Sequence, residues 1–144
     1  MKTIQQDFAL LLHRSAAAWR TKLDERLRPK GMSYTTWRTL WILRTSGERH
    51  NQSSLAARLG IETPTLVRIL DRMERLGLLQ RTADSKDRRQ KHIEITPEGL
   101  RLSEEIEVEV VALRKQLISG FSADEMREGI KLFERIIENA HAST

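Results

Sequence analysis

Between Gln52 and Thr96 the chain reads QSSLAARLGIETPTLVRILDRMERLGLLQRTADSKDRRQKHIEIT, and the period of its apolar residues changes along the way. Leu55, Ala56 and Leu59 make the inner face of a short helix, and Gly60 permits a sharp turn. Ile61 is placed to plug the corner. Thr63-Pro64 then opens a second helix, with Thr63 expected as N-cap and Pro64 as the first helical residue. Leu66, Ile69, Leu70, Met73 and Leu76 form its expected buried stripe, and Gly77 stops it. Beyond Gly77 the period drops from 3.6 to 2. Leu78 to Thr82 and Lys91 to Thr96 are predicted as strands, the second with Ile93 and Ile95 alternating with His92 and Glu94. Between them lies the turn-rich tip Ala83-Asp84-Ser85-Lys86-Asp87-Arg88-Arg89-Gln90. Helix, turn, helix, hairpin is the order of a winged helix-turn-helix.

The side of the second helix opposite its apolar stripe carries Thr65, Arg68 and Arg72, with Arg75 further on. A helix fits the major groove of B-DNA, and its first turns reach the base edges. Thr65 can meet a thymine methyl or a base, and Arg68 can grip a guanine through two hydrogen bonds. Arg72 and Arg75 lie further from the helix start and suit phosphates. The bland alternative is a solvated face on which Asp71 pairs with Arg68 or Arg75 at helical spacing. On the hairpin tip, Lys86, Arg88 and Arg89 can enter a narrow minor groove. Asp87 is assigned a structural task there, holding an arginine or capping backbone N–H groups.

Both flanks are helical. From Ile4 to Leu27, apolar residues at Ile4, Phe8, Leu11, Leu12, Trp19, Leu23 and Leu27 give an amphipathic helix, ended by Pro29 and Gly31. It can pack on its own domain or on a partner chain. Ser33 caps a helix that runs to about Gly47 and is expected to be central and mostly buried. Its Trp37 and Trp41 share a face; they are read as core, with the walls of an aromatic-ligand pocket, together with Trp19, as the alternative. Thr96-Pro97 starts a long helix to about Ser119, with Leu100, Ser103, Ile106, Val110, Leu113 and Leu117 on one face. Ser122 to Glu125 is a capping box for a last helix, whose stripe is Met126, Ile130, Phe133, Ile137 and Ala140. The expected architecture is mainly α: one domain over 1–144, with the winged reader at 33–96 and dimerisation helices at 1–31 and 97–144.

Charge distribution agrees with a reader of polyanions. The net charge is +5, but the first hundred residues hold 19 Lys/Arg against 11 Asp/Glu, and the remainder 6 against 9. A basic front and an acidic rear suit a chain that turns one side to nucleic acid. No apolar run approaches the roughly 18 residues of a membrane span, and the N-terminus lacks the pattern of a signal peptide, so a cytoplasmic protein is expected. With no cysteine there is no disulfide, thiolate metal site or cysteine redox sensor. His13, His50, His92 and His141 are scattered, and no nucleophile–base pair, phosphate loop or metal-ligand spacing is visible. An enzyme, a metal and a cofactor are not expected.

At this point the chain resembles the MarR family, most closely its SlyA-like branch, through DERLRPKGMSYTTW, LAARLGIETPTLVRILDRMERLGLL and DSKDRRQKHIEITPEG. The resemblance implies a homodimer with interlocked terminal helices, bound to palindromic operator DNA as a repressor or activator. It implies major-groove contacts from Thr63, Pro64, Thr65 and Arg68, minor-groove contact from Arg88 and above all Arg89, and phosphate contacts from Ser53 and Ser54. It also implies release by a phenolic or carboxylate compound near Trp19, Arg20 and Trp37. The competing expectations are a nonspecific architectural DNA binder that opposes silencing, and a winged helix used only for protein contacts.

Overall fold

The computed structural model describes residues 1–143 and contains six α-helices and one hairpin among them. In order these are α1 (Ile4–Leu27), a 3-10 turn (Arg28–Lys30), α2 (Tyr34–Thr45), α3 (Gln52–Leu59), α4 (Thr63–Arg75), β1 (Leu79–Ala83), β2 (Lys91–Ile95), α5 (Pro97–Leu117) and α6 (Ala123–Ala142). They fall into two compact units, Met1–Leu113 and the remainder from Arg114.

Local chemistry starts most of the helices. Thr3, Ser33, Asn51 and Ser122 each cap a helix in a reciprocal box with the residue three further on, which satisfies two otherwise orphaned N–H groups. α4 departs from expectation. Glu62 is its N-cap, without a side-chain bond, so Thr63 is the first helical residue and not the cap. Proline is tolerated throughout the first turn, where its missing N–H has no partner to lose, so the helix could begin one residue earlier than the Thr-Pro rule suggests.

The core of the first unit joins its helices and its hairpin. Leu23 and Leu27 of α1, Leu40 and Ile42 of α2, Leu55 of α3, Leu66, Leu70 and Met73 of α4, Leu79 and Ile93 of the hairpin, and Ile106, Val110 and Leu113 of α5 are all buried. Each fully buried side chain of this size contributes roughly 1.5–3 kcal/mol. The stripe of α4 is narrower than predicted: Ile69 is half-buried and Leu76 is 53% exposed. Leu76 sits at the C-cap, after which Gly77 turns left-handed (φ 76°) and the N–H of Leu78 returns to the carbonyl of Met73. This helix ending passes the inward position to Leu78, which is buried.

α2 is less buried than predicted. Its inward stripe is Thr36, Thr39, Leu40 and Ile42, and the helical period puts Trp37 and Trp41 on the flank beyond it. Trp41 is 37% exposed and Trp37 half-buried, so in this chain neither is core.

The hairpin is antiparallel, with Leu79 opposite Ile95, Arg81 opposite Ile93 and Ala83 opposite Lys91. It starts one residue later than expected. A one-residue bridge from His50 to Ile93 extends the sheet, so the segment between α2 and α3 also belongs to the wing.

In the second unit, α6 begins at the predicted capping box, and Ile130, Phe133 and Ile137 lie exposed along it. α1 likewise buries only Leu23 and Leu27, leaving Ile4, Phe8 and Leu11 exposed.

Candidate nucleic-acid interface

Gly60, at φ 68°, makes the turn between α3 and α4, and its N–H caps α3 on the carbonyls of Ala56 and Ala57. A left-handed glycine lets the two helices meet over a short connection without steric cost. The outer surface of α4 then carries Thr63, Pro64, Thr65, Arg68, Arg72 and Arg75, all exposed. The guanidinium of Arg68 makes no hydrogen bond or ion pair within the described residues. Arg72 instead donates to the carbonyl of Gly31 at 3.3 Å, tying α4 to the turn after α1.

The acids of α4 do not pair with its own arginines. Arg81 of β1 takes both, with Nη2 2.6 Å from Asp71 Oδ1 and Nε 2.8 Å from Glu74 Oε2. The alternative of an Asp71–Arg68 or Asp71–Arg75 pair is therefore not formed. The guanidinium fork of one strand residue meets both carboxylates at once, in short charge-assisted bonds. The bonds to Glu74 and then to Asp71 raise the pKa of Arg81 further above its ordinary value.

The wing tip shows the same division of labour. Asp84 accepts from the N–H of Lys86 at 2.9 Å, and Asp87 accepts from the N–H of Arg89 at 3.1 Å. The N–H of Asp84 reaches the carbonyl of Gln90, and that of Gln90 the carbonyl of Asp87. Asp87 thus caps backbone, as expected. The Lys86 N–H foremost, helped by His92 Nε2 at 3.1 Å, holds the Asp84 carboxyl below the usual carboxylate range. The side chains of Lys86, Arg88 and Arg89 are exposed and hold no partner within the described residues.

Ser53 is exposed, whereas the Ser54 hydroxyl serves the α3 cap and lies 3.4 Å from His50 Nδ1. The acidic row of α5 faces other cations of its own unit: Glu109 meets Arg26, Glu105 meets Lys30 and Glu107 meets Arg44, at 3.3–3.8 Å. Part of the basic excess is thereby cancelled away from α4 and the wing tip.

A cavity of about 170 Å3 lies between Arg20 of α1, Tyr34, Thr35 and Arg38 of α2, and Leu59, Gly60 and Ile61 at the reader's turn. The Arg20 guanidinium stands 4.6 Å from the Tyr34 ring centroid and that of Arg38 5.9 Å. Of the three residues predicted near a ligand, only Arg20 lines this cavity. Trp37 lies tilted by 53° against Tyr34, ring centroids 6.1 Å apart, its indole N–H buried and unpartnered among the described residues, and Trp19 is 39% exposed. Sequence reasoning missed Tyr34, Arg38 and Arg81. Arg81 and the Arg20–Tyr34 contact depend on a neighbour from another element, for which no sequence spacing stands as a sign; Arg38 lies four residues from Tyr34 on α2, a spacing that could have shown it.

Residues 32–91 match the MarR family. Among solved structures, the transcriptional regulator PA3341 is 36% identical, with a TM-score of 0.85 over 94% of this chain and 98% of its own. CouR from Rhodococcus jostii RHA1, solved with p-coumaroyl-CoA, is 26% identical with a TM-score of 0.82 over 94% and 95%. A mutant of MarR from E. coli, solved with operator DNA, shares the fold at 21% identity and a TM-score of 0.83 over 94% and 99%. The fold and its exposed basic stripe are those of a winged-helix regulator. The chain belongs to the MarR family of transcriptional regulators, and it is a regulator, not an enzyme.

Proposed function

We propose that the protein acts as a homodimer on palindromic operator DNA, in the manner of the SlyA-like branch. α4 enters the major groove and the hairpin tip the flanking minor groove. The observation that carries this is the contrast between acids and bases on the reader. Asp71, Glu74, Asp84 and Asp87 are all engaged within the chain, while Arg68, Lys86, Arg88 and Arg89 are exposed and unengaged. Thr63, Pro64, Thr65 and Arg68 supply base contacts. Arg72 and Ser53 meet phosphates, and Ser54 stays in its cap. The helices at 1–31 and 97–144 form the dimer layer, through the apolar stripes left exposed on α1 and α6, and the reader at 33–96 is repeated by symmetry. The operator complex of the E. coli protein supports the use of this fold on DNA.

We further propose a small aromatic anion as effector. The cavity beside Arg20 and Arg38 offers two cations and an aromatic face, but 170 Å3 is below the roughly 300–1,000 Å3 of drug-sized sites. It suits one ring bearing a carboxylate, a far smaller ligand than the thioester bound to CouR. Trp37 packs against the Tyr34 that lines the cavity, and neither Trp37 nor Trp19 is among its walls.

Selection of duplexes from a random pool tests the main proposal. A shared palindrome, bound much more tightly than shuffled DNA at physiological salt, is expected. Affinity that ignores sequence and disappears with moderate salt would instead mark a nonspecific architectural binder, since phosphate contacts alone are steeply salt-dependent. Salicylate should weaken the complex, and less so in Arg20→Ala.

A further inference from the structure

Arg81 is the one cation of the reader that points away from solvent toward two acids of α4, its side chain 17% exposed. We infer that Arg81 is a positioning residue for base reading: it fixes the roll of α4 against β1, so that helix and wing dock on DNA as one body. This inference rests on the proposal that α4 and the hairpin read DNA.

The geometry distinguishes this clamp from an ordinary surface ion pair. Nε and Nη2 form one edge of the guanidinium, and they engage Glu74 and Asp71 simultaneously at 2.8 and 2.6 Å. Asp71 and Glu74 are three residues apart, hence on one side of α4 and nearly one turn apart along its axis. Two attachments at two heights resist both rotation about the axis and sliding along it. A single bond resists neither well. The buried contacts of Leu66, Leu70 and Met73 set which face of α4 turns inward, and the two charge-assisted bonds, being directional, fix its angle more finely. The angle matters for Arg68. A roll of about 20° carries a side-chain tip ~8 Å from the axis through about 3 Å, enough to break a bidentate bond to a base.

The clamp also removes competitors. Asp71 lies three residues beyond Arg68 and four before Arg75, both within helical pairing distance. With Asp71 and Glu74 engaged by β1, Arg68 is left without an intrahelical partner.

The test uses the full chain, a duplex selected by the wild-type protein and a shuffled duplex of equal length. The readout is the ratio of the two Kd values, with the salt slope recorded beside it. Arg81→Lys keeps the charge but offers one nitrogen where two are needed. The double variant Asp71→Asn, Glu74→Gln keeps Arg81 and removes both negative charges. Circular dichroism establishes that each is folded; should Arg81→Lys not fold, the double variant decides alone. The expected result for Arg81→Lys is a ratio reduced about tenfold, the scale of one good base contact, with shuffled-duplex affinity and salt slope as in wild type. In the double variant, affinity for the shuffled duplex rises while the ratio still falls. Ratios within twofold of wild type in the folded variants, or an equal loss of affinity for both duplexes, overturn the inference. If the wild-type protein itself shows no preference, the proposed DNA reading fails first, and the role of Arg81 with it.

Discussion

The backbone N–H of Ile93 donates to the carbonyl of His50 at 2.9 Å, so the segment leaving α2 becomes a third, one-residue strand of the wing. The His50 ring is buried as well, with Nε2 3.0 Å from Ser46 Oγ and Nδ1 3.4 Å from Ser54 Oγ. One residue thus connects the end of α2, the first turn of α3 and β2.

Replacing that ring should therefore loosen the end of α2 and the start of α3 directly, and β2 through the backbone segment they hold in place. His50→Ala is predicted to cost roughly 2–4 kcal/mol, combining a lost buried side chain with the two hydrogen bonds of its ring. Urea unfolding measures the cost, and faster amide exchange at Ile93 would show that the wing shares it. An unchanged midpoint would refute the coupling.

At Gly99 the backbone of α5 comes close to that of Leu78. A Cβ there would collide with the backbone carbonyl of Leu78 and crowd the side chain of Ile95. Neither Leu78 nor α5 can retreat easily: Leu78 is buried and its carbonyl accepts from Thr96, while Thr96 Oγ1 caps Gly99 at 3.0 Å. Gly99→Ala, favourable for an isolated helix, should here destabilise by about 1–3 kcal/mol. A thermal melt equal to or above wild type would contradict this.

The wing tip should respond to acid through Asp84. Its folded-state pKa is depressed, chiefly by the N–H of Lys86, so its contribution is complete above the unfolded value of about 3.9 and is lost as the pH falls through the lower folded value. Carboxyl NMR should find a midpoint below that of a model aspartate. The amide signal of Lys86 should move with it, and Asp84→Asn should abolish that shift.

Arg68 and Arg89 should fail differently. Arg68→Ala is predicted to relax the choice of base at one operator position, with a loss of about 1–3 kcal/mol on the preferred sequence. Arg89→Ala should weaken binding on all sequences and make the salt dependence shallower by about one unit per reader. Competition binding across a salt series separates them; matching profiles would deny the division between helix and wing.

Phe133 and Ile137 are more than half exposed along one side of α6. If a second copy covers them, Phe133→Glu or Ile137→Glu should sediment as a monomer and bind DNA poorly. A dimer of wild-type mass would remove α6 from the proposed interface.

Where a structural choice is settled within a few residues, the sequence alone determined it. α1 runs over Ile4–Leu27 as its apolar spacing predicts, Ser33 and Ser122 cap as expected, and Gly60 and Gly77 end their helices left-handed. The alternation around Ile93 places β2. These features depend on period, capping and backbone freedom, all of which act across a turn or less. The basic stripe of α4 was legible for the same reason: residues three and four apart must share a face.

Partners were another matter. That Arg81 holds Asp71 and Glu74, that His50 joins β2, and that Arg20 meets Tyr34 and Arg38 in one cavity were decided by the tertiary structure. The chain offers 25 cations and 20 acids, and their short-range rules permit many pairings. The packing of apolar surfaces brings candidate partners within a few ångströms, because an isolated ion pair near the surface is too weak to do so itself; a two-pronged pair can then refine the angle. Thus the reader's outward face was written locally, whereas what holds that face at its angle was decided by a strand beyond the helix's end.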